Sequence, residues 1–204
     1  MTKKMKEAVD VTTEEKIKEA ARKVFMQKGY GATRTRDIAE AAGINLALLN
    51  YYFRSKEKLF EIVMMEKMQK MFGAIAPVMM NEAMGLEEKI DLIVANYIDM
   101  LMVNQDLPIF VLSEIRNHPE KFANKIQAAN LMANSSFVKQ LHERVPHLNP
   151  LHFLMSIIGM TVFPFVGKPI FQSATSLDSK MFNGLMEERK RLIPIWVKAM
   201  IASS

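Results

Sequence analysis

Between positions 35 and 56 the chain carries Thr35, Arg36, Asn45, Asn50, Tyr51, Tyr52 and Lys56, side chains that can donate to anionic or base-edge acceptors. Their chemistry is recognition rather than bond-making. A guanidinium fork matches the two acceptors on a guanine edge, and a carboxamide matches the donor and acceptor of adenine. Hydroxyl and ammonium groups suit phosphate oxygens. Leu46, Ala47 and Leu48 lie among them and can meet thymine methyl groups. No comparable cluster suits catalysis. There is no Cys, which excludes disulfides and thiolate metal sites. His142, His147 and His152 are spaced by five. That spacing turns successive rings about 140° around a helix, a poor arrangement for a metal. No Gly-rich phosphate loop and no Ser/His/Asp or paired-carboxylate pattern stands out, so no cofactor, metal or enzymatic activity is expected.

Short helices at fixed angles would have to present these residues. Ile38, Ala39 and Ala42 fall at helical spacing, and Gly43 supplies a left-handed corner. Asn45 is a good N-cap for a further helix over Leu46–Tyr52. Ile44 and Leu49 point back to the preceding helix, and Phe53 is core. The pattern is a helix-turn-helix, whose second helix can enter a DNA major groove. Thr35 and Arg36 open the first helix of the pair. Thr35 can meet a phosphate or serve as a packing or capping residue, and Arg36 can reach phosphate or guanine. Ser55 caps a fourth helix with Lys56 in its first turn, which together suit a phosphate clamp.

The residues Gly29-Tyr30-Gly31-Ala32-Thr33, Arg36-Asp37-Ile38-Ala39, Ala42-Gly43-Ile44, Leu49, Tyr52-Phe53 and Ser55-Lys56-Glu57-Lys58-Leu59 resemble the DNA-binding motif of the TetR family of bacterial transcription regulators. The resemblance runs from Glu14 to Leu59 without a gap. Asn50 stands where that family commonly has Tyr, and Leu46 and Leu48 where polar residues are frequent. The resemblance implies DNA contacts at Thr35, Arg36 and Lys56, and a fourth helix acting as a lever. It also implies dimerisation through the last two helices and a cavity for a small-molecule inducer. Candidate lining residues are Met68, Phe72, Tyr97, Leu101, Phe110, Phe137, Phe153 and Ile157. Ordinary core is the plainer reading of each.

Charge is unevenly placed. Residues 1–60 hold 13 Lys and Arg against 8 Asp and Glu, whereas residues 61–204 hold 14 of each. The excess therefore lies with the helix-turn-helix, where phosphates would be met. Eighteen Met residues, most of them beyond it, suit an adaptable apolar interior.

In chain order, Met1–Val11 reads as a loose basic arm with Lys3, Lys4 and Lys6 in reach of phosphates. It lacks the apolar stretch of a secretory signal, so a cytoplasmic chain is expected. Thr12 and Glu15 form a capping box for a first helix that ends at Gly29, with Ile17, Ala20, Ala21, Val24 and Phe25 inward. The fourth helix runs to about Val78, weakened at Gly73 and Pro77. Further helices are expected over Leu86–Asn104, Pro108–Asn117 and Pro119–Val145. Leu151–Val166 is apolar on every side, so burial all round is expected, partly against a second subunit, with breaks at Pro164, Gly167 and Pro169. Asp178–Ala202 is the last helix, kinked at Pro194.

The expectation is an all-α chain with a helix-turn-helix domain over 1–60 and a helical effector-binding and dimerisation domain over 61–204. It would homodimerise through Leu151–Val166 and Asp178–Ala202 and bind a pseudo-palindromic DNA operator away from any membrane. A small apolar effector would release it. Two alternatives stay open: a DNA-binding factor without ligand, and a helical interaction module or enzyme with a vestigial helix-turn-helix.

Overall fold

A run of good helix formers, KKMKEAVD, precedes the expected capping box, and nothing in it stops a helix. In the computed structural model, which describes residues 3–105, 107–117 and 119–203, the first helix accordingly starts far earlier than expected. α1 spans Lys3–Ala32, so the arm is helical and Thr12 lies inside the helix instead of capping it. Met1, Thr2 and the side chains of Lys3, Lys4 and Lys6 lie outside the described residues. Gly29 interrupts α1 with φ 72 and ψ 167, and one further turn follows it. Every described residue in regular structure is helical. The chain divides into two units, Met1–Met68 and Gln69–Ser204.

In the first unit, α2 (Thr35–Ala41) packs on α1, and α3 (Leu46–Phe53) packs on α2. The expected inward residues Ile17, Ala20, Ala21, Val24, Phe25, Ile38, Ala39, Leu49 and Phe53 are all buried. Each large one contributes about 1.5–3 kcal/mol of apolar burial. The start of α4 (Lys56–Met80) closes this core. Phe60 meets Phe25 edge-on at 5.0 Å and Tyr30 at 4.6 Å. Lys18 and Arg22 of α1 both pair with Glu66 of α4. Burial works against the Glu66 charge, but the two cations outweigh it and hold its carboxyl below the usual carboxylate range.

In the second unit α5 (Leu86–Val103) is the central element, packed against α9 (Ser136–Arg144), α10 (Pro150–Val166) and α12 (Ser179–Ala202). Ile90, Ile93, Val94, Ile98 and Leu101 form its buried stripe. Lys89, in the same helix, is also fully covered. Its ammonium donates to Ser136 Oγ at 2.8 Å and Gln140 Oε1 at 2.9 Å, tying α5 to α9. Burial lowers its pKa, with the Glu82 carboxylate opposing.

Several expectations for this unit are corrected. The single helix expected over 119–145 is three: α7 (Pro119–Lys125), α8 (Ala128–Asn134) and α9. Gln127 sits in the left-handed region at φ 51 between the first two. Ser135 restarts the chain as an N-cap, its Oγ accepting from the Val138 N–H at 3.3 Å. α4 passes through Gly73 and Pro77 to Met80, and α10 passes through Pro164 to Val166. Proline removes the bond to the carbonyl four residues back. At Pro164 that carbonyl belongs to Met160, and Arg189 Nη2 of α12 supplies the missing donor at 2.9 Å. An additional helix, α11 (Lys168–Thr175), follows Gly167, and α6 (Leu107–Asn117) completes the set.

Within one chain α10 buries only one face. Phe153, Ile157, Thr161, Pro164 and Phe165 face inward, while Leu151, Met155, Ile158 and Phe163 are exposed on the opposite face. On α12, Met181, Leu185, Ile195, Trp196 and Met200 are exposed as well. Among the described residues no single helix is long and apolar enough to cross a membrane.

The Glu66 pairing predicts a pH dependence. A folded-state pKa held low gives stability that is present above the unfolded-state carboxylate pKa and lost as pH falls through the folded-state value. Glu66→Gln should destabilise the first unit at pH 7 by about 1 kcal/mol or less, since solvent screens the pair. Denaturant melts should show that difference vanishing at acid pH. A difference that persists there would mean that packing, not charge, is responsible.

Candidate nucleic-acid interface

The corner between α2 and α3 is built from backbone. Ile44 N–H donates to Ala39 O at 3.0 Å across Gly43, whose φ of 65 suits a residue without Cβ. Asn45 Oδ1 then accepts from the Leu48 N–H at 2.8 Å and starts α3. At the head of α2, the Arg34 N–H donates to Asp37 Oδ2 at 2.9 Å, and Lys28 pairs with the same oxygen at 3.2 Å. The Arg34 amide first, and then Lys28, hold the Asp37 carboxyl below its usual range. Thr33 is buried, with its hydroxyl donating to Gly29 O at 2.6 Å.

With Leu49 and Phe53 inward, helical spacing turns Ala47, Asn50 and Tyr51 outward. All three are exposed, Tyr51 to 76%. Asn45 and Arg36 are exposed too, while Thr35 and Tyr52 are half-buried. Leu46 and Leu48 differ from expectation: both are half-buried, flanking the inward stripe rather than standing proud. Their apolar character therefore owes as much to the α3 packing as to any external contact. Asn45 likewise has its oxygen engaged in capping, which leaves its NH2 as the outward donor.

Lys56 differs more. Its ammonium donates to the carbonyls of Tyr30 at 2.9 Å and Thr33 at 3.0 Å, and lies 4.1 Å from the centre of the Tyr30 ring. It is first a brace within the unit, with at most one N–H left for an outside oxygen. Ser55 does cap α4, accepting from the Lys58 N–H at 3.1 Å.

One residue that sequence reasoning missed is Arg54. It is exposed and follows the last residue of α3, leaving the helix with φ 58. Its charge directly after the reading helix was the available signal. Arg34, Arg36 and Arg54 form no ion pair among the described residues, whereas Lys18 and Arg22 are neutralised by Glu15, Glu19 and Glu66. Three exposed guanidinium groups thus stand around α2 and α3. Such a surface can hold a polyanion by its phosphates and offer a carboxamide and a phenol to base edges.

The residues expected to line a ligand pocket are mostly core. Leu101, Phe110, Phe137, Phe153 and Ile157 are buried on α5, α6, α9 and α10. Tyr97 is half-buried, and burial pushes its hydroxyl up to about 12. Phe72 is half-buried in the second unit, and Met68 is buried in the first.

Residues 17–63 match the family model for bacterial regulatory proteins of the tetR family. The chain is 43% identical over 56 residues to the Probable HTH-type transcriptional regulator YttP of Bacillus subtilis (strain 168), a stretch covering 28% of this chain and 27% of that one. It is 28% identical over 120 residues to the HTH-type transcriptional repressor KstR2 of Mycolicibacterium smegmatis, covering 52% of this chain and 58% of that one. The chain thus matches between about a quarter and three fifths of those relatives' lengths. Among solved structures, a TetR-family protein from Mesorhizobium loti superposes with a TM-score of 0.64 at 20% identity, over 95% of this chain and 96% of that one. FadR of Bacillus subtilis, solved in complex with stearoyl-CoA, superposes with a TM-score of 0.55 at 18% identity, over 88% and 96%. At such identities the superpositions show the fold, an N-terminal helix-turn-helix followed by a helical domain. Residues 17–63 are thus a tetR-type helix-turn-helix by sequence, carried on a chain that shares the fold of these TetR-family structures.

Proposed function

We propose that the chain is a homodimeric transcriptional repressor that reads a pseudo-palindromic DNA operator and is released by a small apolar effector. The observation that carries this reading is the outward stripe of α3, Ala47, Asn50 and Tyr51, bordered by the exposed guanidinium groups of Arg34, Arg36 and Arg54, which form no ion pair among the described residues. Thr35, Arg36 and Lys56 supply phosphate or guanine contacts around it. Asn45, Leu46, Leu48 and Tyr52 contribute from the flanks of α3. The names of the relatives support repression: KstR2 is a repressor, and IcaR of Staphylococcus aureus, 25% identical over 127 residues, is a negative regulator.

A dimer is supported by the bare apolar faces of α10 and α12. Leu151, Met155 and Ile158, like Met181 and Leu185, recur at helical spacing and are exposed, which suits a four-helix bundle about a two-fold axis. Two copies of α3 about 34–36 Å apart would enter successive major grooves. The effector would occupy the region of Tyr97, Leu101, Phe110, Phe137, Phe153 and Ile157. A neighbour of this fold solved with stearoyl-CoA supports an apolar ligand. An effector favouring a state with another spacing would shift the population off the operator.

Selection of bound fragments from random DNA tests the reading at its base, and failure to enrich any sequence at moderate salt would remove it. On the selected site, Asn50→Ala should relax preference at one base pair, at a cost of about 1–3 kcal/mol there. Lys56→Ala should instead weaken binding to every sequence alike and lower the melting temperature of the first unit, because two carbonyls lose their donor. A base-specific effect of Lys56→Ala would reverse these roles. Leu185→Glu with Met155→Glu should give monomers by sedimentation and a large loss of operator affinity, while the helical content is kept. An unchanged dimer would place the interface elsewhere.

A further inference from the structure

α10, α11 and α12 enclose a cleft of about 750 Å3. Its walls include Met160 and Phe163 from α10, Phe171 from α11, and Phe182, Met186 and Leu192 from α12. One cation interrupts this apolar surface. Arg189 donates from Nη2 to the Met160 carbonyl at 2.9 Å and lies 5.3 Å from the centre of the Trp196 ring. Its Nε is buried and has no acceptor among the described residues. Burial works against its charge and pulls the guanidinium pKa down. Glu188 borders the same cleft but is exposed, and it forms no ion pair with Arg189 among the described residues.

A charge partly withdrawn from water without a counter-charge is disfavoured, and a buried N–H without an acceptor adds to that. Both are relieved by an anion arriving from the cleft. The volume is that of a small-molecule site, for which about 300–1,000 Å3 is usual. We propose that this cleft binds an amphipathic organic acid, with its aliphatic chain along the apolar walls and its carboxylate accepting from Arg189 Nε. The site is separate from the core residues given to the effector above, and the DNA reading can fail without touching it. Leu185, which lines this cleft, also belongs to the face given to the dimer, so the bound acid would lie at the edge of the seam.

The test is titration of the full chain with dodecanoate, below its micelle concentration, with dodecanol as the uncharged control. Calorimetry gives the affinities, and the fluorescence of Trp196, the only Trp of the sequence, reports events beside Arg189. Dodecanoate should bind about tenfold more tightly than dodecanol and change the Trp196 emission. Arg189→Gln keeps a donor for the Met160 carbonyl and should abolish that preference. Leu177→Glu, on the half-buried connection between α11 and α12, should weaken dodecanoate by about tenfold through like charge even if the first variant fails to fold. Absence of binding, equal affinity for acid and alcohol, or a preference that survives either folded variant would overturn the proposal.

Discussion

The N-terminal unit depends on one ammonium group. Where α1 breaks at Gly29, its last turn leaves carbonyls without helical partners, and such groups need donors. α1 has no basic residue of its own in that turn. Lys56 of α4 supplies the donor, bonding Tyr30 O and Thr33 O while covering the Tyr30 ring. A cation is favoured at a helix C-terminus, so electrostatics and hydrogen bonding act together. The same contact fixes where α4 begins relative to the start of α2. The direction in which α3 presents Asn50 and Tyr51 is therefore inherited from a bond made at the far side of the corner.

The second unit shows the same rule with a different outcome. Pro164 frees the Met160 carbonyl, and Arg189 reaches across from α12 to satisfy it. A guanidinium carries more donors than one carbonyl can use. The surplus is left beside an apolar cleft, held over Trp196. Lys89, by contrast, meets both Ser136 and Gln140 and ties two helices. A buried cation can thus be a fastener or a place for a ligand, and the number of its partners separates the two.

Recognition and response call for opposite surfaces. The α3 face is polar, exposed and bordered by arginines, suited to contacts that form and break with salt. The α10 and α12 faces are apolar and bare, suited to lasting association. Their separation along the chain follows the charge distribution, with all of the excess positive charge in the first sixty residues.

Periodicity determined much of this from the sequence. The helix-turn-helix, the Asn45 and Ser55 caps, the inward stripe from Ile17 to Phe53 and the apolar pair of terminal helices were all legible, because each rests on contacts within one or two helical turns. The Ser135 restart was not read, because helical propensity on both sides concealed it. Only the tertiary structure decided that Lys56 is a brace, that Leu46 and Leu48 are half-covered, and that one face of α10 stays bare. It alone brought Arg189 to the carbonyl that Pro164 releases. The reason is range: propensity and capping act over a few residues, whereas the partner of an orphan carbonyl or a buried charge can come from any distance along the chain, and only folding selects it.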